Sequence, residues 1–246
     1  MMDAIVLTAT VHDPVGRLAP ATRRLAGSLR QIFPHIALNV SDATRPEVLA
    51  ELEALGADIM THAAGEAIIG KARRDAVAMA AGRPALYADF DHMLRWIECD
   101  PEDLSHVLAE QPEVDMLVVG RSPEALAREP QRLQQSERLV NHVHALLTGE
   151  NWDLMFAIRR LSPAAADLIV RESRVDTLAN DVDWPLLVRG AGMALGYAES
   201  HALFYRTVEE FGDAEDSGDD EPLQWIRRLE FAAQHAAAMR PYLRGK

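Results

Sequence analysis

Five short apolar runs punctuate the first half of the chain, and between them the apolar residues change period. AIVLTAT (4–10), HIALNVSD (35–42), DIMTHA (58–63), PALYADFD (84–91) and VDMLVVGRS (114–122) are too short for helices and are bounded by turn-forming residues, which predicts strands. ATRRLAGSLRQIF (21–33) instead sets Leu25, Leu29, Ile32 and Phe33 at helical spacing. Pro46 opens a second helix, PEVLAELEALGA, and Gly56 suits its end. GKARRDAVAMAAG (70–82) and PEDLSHVLAEQ (101–111) complete the series. Strict alternation of strands and helices predicts an α/β layer sandwich around a mostly parallel, Rossmann-like sheet. Strands this uniformly apolar predict that both sheet faces are covered.

After residue 123 the rhythm changes. QRLQQSERLVNHVHALLTG reads as one long helix, with Leu133, Leu139, Val140, Val143, Leu146 and Leu147 as its expected buried side. DLMFAIRRLS reads as extended. SPAAADLIVRES starts a helix with Ser162 as its cap and Pro163 in its first turn. NDVDWPLLVRGAGMA starts another, in which Asp183 is expected to cap, and ALGYAESHALFYRT is strand-like. LQWIRRLEFAAQHAAAMRPYL (223–243) is an amphipathic helix whose expected stripe is Trp225, Ile226, Leu229 and Phe231. The expected layout is one domain over 1–208, with a nucleotide-binding half (1–122) and an acceptor half (123–208). An acidic linker (209–222) and a C-terminal helix (223–246) follow.

Charge changes this picture little. The formal net charge is −13, but EEFGDAEDSGDDE (209–221) alone holds eight acids and no base, so the body is only mildly acidic. No basic patch points to nucleic acid. The single cysteine, Cys99, excludes an internal disulfide framework and a Cys-rich zinc site, and is compatible with a cytoplasmic location. No run of 18 apolar residues predicts a membrane span, and a homo-oligomer is left open.

The chemistry concentrates at YADFDHML (87–94), where an apolar run ends in Asp89 and Asp91. On an extended segment, residues two apart point the same way, and two close carboxylates repel unless a cation lies near them. A hard divalent cation such as Mg²⁺ takes one or two protein carboxylates plus phosphate oxygens. A solvated strand end would show the same spacing. His142 and His144, two apart on a helix, share no face and form no metal pair.

The arrangement resembles the GT-A glycosyltransferases, nucleotide-sugar-dependent enzymes whose fourth strand ends in a DxD motif. The helix GKARRDAVAMAAG leading into ALYADFD is similar to the family's "G.ARN.G...A" helix, and NVSDAT to its acidic turn after strand two. RLVNHVHALLTGENWDLMFAIRRLSPAAADLIV resembles the acceptor-side segment, and NDVDWPLLVRGAGM the "ED..l..R....G" element. The likeness spans roughly residues 4–207. It departs where Asn180-Asp181 replaces Glu-Asp, where TATVHDP replaces proline-tyrosine-asparagine, and at Asp75 where asparagine is frequent.

The resemblance implies a divalent metal, Mn²⁺ or Mg²⁺, and a nucleotide-diphosphate sugar as donor. Asp91 is then the metal ligand and Asp89 the contact to ribose or metal-bound water, itself a candidate ligand. His201 is a further metal candidate. Thr8 and Ala9 would line the nucleotide cleft through their backbones, Asp42 would meet the base or ribose, and Arg73 the diphosphate. Asp181 is the base candidate for an unknown acceptor. The residues themselves leave His92 either a donor contact or a packed ring, and Trp152 with Asp153 either the shape of an acceptor pocket or, for Trp152, a core anchor. Three other functions stay open: a nucleotidyltransferase acting on a sugar phosphate, a phosphohydrolase with an aspartyl nucleophile, and a non-catalytic GT-A-like binding protein.

Overall fold

The computed structural model describes residues 5–203 and 217–245. The N-terminal half alternates β1 (Val6–Val11), α1 (Leu18–Ile32), β2 (His35–Ser41), α2 (Pro46–Leu55), β3 (Asp58–His62), α3 (Ile69–Ala78) and β4 (Ala85–Asp89). Then come α4 (Phe90–Cys99), α5 (Pro101–Ala109), β5 (Met116–Arg121), the short α6 (Pro123–Leu126) and the long α7 (Gln131–Thr148). The remainder is β6 (Ile158–Leu161), α8 (Pro163–Glu172), α9 (Asn180–Gly190), β7 (Leu195–Ser200) and α10 (Pro222–Met239).

One seven-stranded sheet runs β3-β2-β1-β4-β6-β5-β7. Every pair is parallel except those made by β6, which runs against both β4 and β5. Chain order turns back between β1 and β4, and open α/β sheets bind ligands at such a reversal, beyond the carboxyl ends of the strands. Thr10 and Asp89 lie in register at that point. One face of the sheet buries Leu7, Leu38, Leu86 and Leu117 against α1, α2, α4 and α5, and the other buries Tyr87, Val118 and Leu161 with α7 to α9.

The strand expected over 84–91 ends two residues early. Asp89 keeps an extended backbone (φ −70°, ψ 135°), and Phe90 starts α4. Phe90, Met93, Leu94 and Ile97 are all buried, the i, i+3, i+4, i+7 spacing of a helix face. Asp91 therefore sits in a helical first turn and not beside Asp89 on a strand.

Two amphipathic expectations also change. Leu139 and Leu146 of α7 are exposed, while Arg132, Glu137, Asn141 and His144 are buried with Leu133 and Val140. The polar face points inward because Glu137 meets Arg121 and Asn141 meets Asp153 there, while Arg132 pairs with Asp219. On α10, Ile226 and Leu229 are exposed, and the helix docks through His235 and Met239. Residues 204–207 of the strand-like segment and 209–216 of the acidic run lie outside the described residues. Within that run, Asp219 accepts the backbone N–H groups of Gln131 (2.8 Å) and Arg132 (3.1 Å), capping α7, so this part of it is docked. No helix among the described residues is long and apolar enough to cross a membrane.

Gly70 fixes where α3 meets the loop before α9. Its N–H donates to the Asp176 carbonyl at 2.7 Å, and a Cβ there would lie 2.3 Å from the Thr177 carbonyl oxygen and 2.7 Å from that of Val175. Backbone cannot yield as a side chain can. Gly70→Ala is expected to destabilise the fold by about 1–3 kcal/mol, seen as a lower melting temperature.

Candidate functional site

Arg73 is one turn beyond Gly70 on α3, and the close approach of α3 to the α8–α9 loop delivers its guanidinium between two carboxylates. Nη2 donates to Asp89 Oδ2 at 2.6 Å, and Nη1 to Asp181 Oδ1 at 2.8 Å and Asn180 Oδ1 at 2.9 Å. Arg73 is 3% exposed. Burial alone would depress its pKa, but Asp89 and Asp181 outweigh that and hold it charged, above its ordinary value. One cation thus ties the end of β4 to the start of α9.

Asp89 is fully engaged. Its Oδ1 accepts from Tyr87 Oη (2.6 Å) and Thr10 Oγ1 (2.9 Å), while Oδ2 accepts from Arg73. Burial pushes this carboxyl up, and Arg73, with His92 and the Tyr87 hydroxyl, pulls it down to about 2. A depressed carboxylate stabilises the fold above its unfolded pKa of about 4 and loses that contribution as pH falls towards 2. An acid titration of stability is therefore expected to be shallower between pH 4 and 2 in Asp89→Asn than in the wild type.

Asp91 differs. Its side chain is 35% exposed, and Oδ2 takes Arg95 Nη2 at 2.8 Å with His92 Nε2 at 3.8 Å. Burial raises its pKa, and His92 and Arg95 more than reverse that, so it is lowered. His92 itself stacks on Phe156 at 4.1 Å, and burial lowers its pKa.

The other candidates scatter. His201 lies 3.3 Å from Asp100 and 3.4 Å from Asp103, mostly exposed, and makes no group with Asp91. Among the described residues, no three His, Cys, Asp or Glu side chains converge as a metal-ligand set. Thr8 and Ala9 are buried in mid-strand, paired on both flanks by β2 and β4. Thr10 takes their place at the strand end. Asp42 is exposed beyond β2 and accepts the Ala64 N–H at 2.8 Å. Asp183 does not cap α9. The cap position is Ala179, and Asp183 instead accepts from Ser173 Oγ at 2.6 Å and Tyr242 Oη at 3.3 Å. Trp152 stacks on Tyr197, and Asp153 binds Arg121 Nε at 2.8 Å, beside a separate cavity of about 290 Å³.

A cavity of about 210 Å³ opens against Arg73, Asp89, His92 and Asp181. Its far wall holds Arg121, which pairs with Glu129, Glu137 and Asp153 in a buried network, and Ala157, held at φ 54°. Its remaining wall is α10, which supplies Arg228, Phe231 and His235. Arg228 pairs with Glu137 and so anchors α10 to α7. Five buried side-chain polar atoms among the described residues have no hydrogen-bond partner in the protein. Three of them, Arg73 Nε, His92 Nδ1 and His235 Nε2, belong to residues lining this one cavity. Unpaired buried polar atoms are costly, and their gathering here marks a site for a polar ligand. At this volume the cavity is smaller than the ~300–1,000 Å³ of a whole-ligand pocket.

Tyr87, Thr10, Arg228 and His235 escaped the sequence reading, and Asn180 was read only as a departure from the family's Glu-Asp pair. Tyr87 was legible as the polar tip of a strand residue two before Asp89. His235, a lone histidine in an alanine-rich helix, carried no such signal.

No protein-family profile matches the sequence, and no curated protein matches it. Solved structures do match. Glucosyl-3-phosphoglycerate synthase from Mycobacterium tuberculosis aligns with a TM-score of 0.63 at 10% identity, over 98% of this chain and 80% of that one. Its complex with UDP gives 0.58 at 10% identity, over 93% and 80%. Its complex with Mn²⁺, UDP-glucose and phosphoglyceric acid gives 0.56 at 10% identity, over 93% and 80%. A likeness at this identity is one of fold, and together with the strand order it shows that the chain has the GT-A glycosyltransferase fold.

Proposed function

We propose that the chain is a metal-dependent glycosyltransferase that moves a sugar from a nucleotide-diphosphate sugar to an acceptor hydroxyl. The carrying observation is the polar cavity at the sheet's reversal point, with Asp89 and His92 on one side and Asp181 on the other, and Asp91 next to His92 at the start of α4. The solved neighbours in complex with Mn²⁺ and UDP-glucose support the donor class.

A divalent cation fits at Asp91 and not at Asp89. Asp89 has spent both oxygens on Tyr87, Thr10 and Arg73, whereas Asp91 keeps Oδ1 clear of the Arg95 bond and is partly exposed. One carboxylate with diphosphate oxygens and water suffices for Mg²⁺. Such a cation supplies charge neutralisation for a diphosphate leaving group. The protein's own groups do the rest. Arg73 holds Asp89 and Asp181 at a fixed separation and leaves its Nε–H for a donor oxygen. Arg159, buried behind Asp181, donates to the Asp181 carbonyl at 3.0 Å and steadies the start of α9. Asp181 Oδ2 receives the proton of the acceptor hydroxyl.

Two of the competing functions lack such support. After β1, Asp13 accepts the N–H groups of Val15, Gly16 and Leu18, so that loop is folded onto its own carboxylate and does not present amides to a triphosphate. Asp89, saturated by donors, is no nucleophile. The same saturation favours a second reading, a GT-A-like protein that binds nucleotide sugar without transferring it. We propose a cytoplasmic location, with which the single cysteine is compatible. Titration calorimetry with UDP or GDP and Mn²⁺ is expected to show binding that Asp91→Ala weakens at least tenfold. Absence of binding by either nucleotide sinks both readings, and binding without UDP release from UDP-glucose selects the second.

A further inference from the structure

His235 stands 1% exposed on α10, in a wall of the cavity. Its Nδ1 lies 2.6 Å from the Phe231 carbonyl oxygen. A carbonyl only accepts, so Nδ1 carries the proton, and in the neutral ring Nε2 holds a lone pair. That Nε2 has no hydrogen-bond partner, and it faces Asp181 Oδ2 at 3.7 Å. Two acceptors turned on each other inside the protein are unfavourable as they stand, and one shared proton satisfies both. Asp181 Oδ1 is already given to Arg73, so Oδ2 is the oxygen left to take a proton.

We propose that His235 is a positioning residue for the transfer: its Nε2 receives in a hydrogen bond the proton that Asp181 Oδ2 takes from the acceptor hydroxyl. This rests on Asp181 being the base of a glycosyl transfer. As the acceptor O–H bond breaks, its electron pair forms the bond to the anomeric carbon. The bond from that carbon to the diphosphate oxygen breaks, and the diphosphate leaves with those electrons. The proton on Oδ2 is held against Nε2 and returns to solvent after product release. Other charged groups on the cavity are Arg73 from α3, Asp89 from β4, His92 from α4, Arg121 from β5, Glu137 from α7 and Arg228 from α10 itself. Arg73 is paired with Asp89, and Arg121 and Arg228 with Glu137, which leaves Asp181 as the acid that meets Nε2.

The test measures UDP release from UDP-glucose with Mn²⁺, water serving as acceptor, across pH. His235→Gln is expected to lower kcat about 10- to 100-fold, part of the span that acid–base groups supply, with the donor KM within twofold and the acid limb displaced. His235→Ala is expected to regain activity with added imidazole. Unchanged kcat and pH profile in His235→Gln, or loss without rescue in His235→Ala, overturns the proposal. ¹⁵N-histidine spectra of the wild-type protein decide the pairing without any turnover. Nε2 is expected to be the unprotonated nitrogen of the neutral ring, with a signal that moves in Asp181→Asn. A proton on Nε2 of the neutral ring, or a signal indifferent to Asp181, also overturns it. If the wild type binds neither UDP nor GDP in the presence of Mn²⁺, the transferase reading has failed, and the spectra show separately whether the pair exists.

Discussion

Arg73→Met is expected to destabilise the protein by about 3–5 kcal/mol, the range for removing one partner from a buried ion pair and stranding the other. Two carboxylates are stranded here, because Asp89 and Asp181 both rest on this guanidinium. For a chain of this length each kcal/mol moves the melting temperature by about 2–4 °C, so a fall of about 10 °C follows. Arg73→Lys should recover only part of it. An ammonium keeps the charge but cannot reproduce the fork whose Nη2 meets Asp89 while Nη1 meets Asp181 and Asn180. Thermal unfolding of the three proteins checks this. A melting temperature for Arg73→Met within 2 °C of the wild type would show that the ion triad does not join α3 to α9.

Asp181→Asn should act on rate and leave the fold standing. Asparagine keeps the shape and an oxygen for Arg73 Nη1, and Asp89 still neutralises the guanidinium. What it removes is the ability of Oδ2 to take a proton. Positioned acid–base groups contribute about 10²- to 10⁴-fold, so kcat for UDP release should fall by that factor with the donor KM little changed. Steady-state kinetics beside a melting curve separates the two effects. A variant as active as the wild type would remove Asp181 from the chemistry, and one that has lost its melting transition would make it a structural residue.

Both predictions turn on a contact between residues 108 positions apart, which explains what the sequence did and did not disclose. The order of β1 to β5 was legible because each strand is a short, nearly unbroken apolar run between helical segments. That pattern, with the DxD strand in fourth place, led to the fold the structure has. Asp91 was misplaced on a strand because DFD alternates polar and apolar residues. The helical spacing of Phe90, Met93, Leu94 and Ile97 was present but masked by the two acids. The inward face of α7 was unreadable for another reason. Glu137 and Asn141 are buried only because Arg121 and Asp153, on other elements, meet them, and no local period records that. His235 depends on how α10 docks, which its apolar stripe pointed the other way.

The central claim is that nucleotide-diphosphate sugar binds beyond the carboxyl ends of β1 and β4, with its diphosphate held through a cation at Asp91. A crystal soaked with Mn²⁺ and UDP-glucose, measured at the manganese absorption edge, tests it directly. The account predicts an anomalous peak within bonding distance of an Asp91 carboxylate oxygen, with the diphosphate between it and Arg73 and the sugar in the cavity walled by α10. Manganese or nucleotide bound elsewhere, with Asp91 still paired to Arg95 and free of metal, would contradict it.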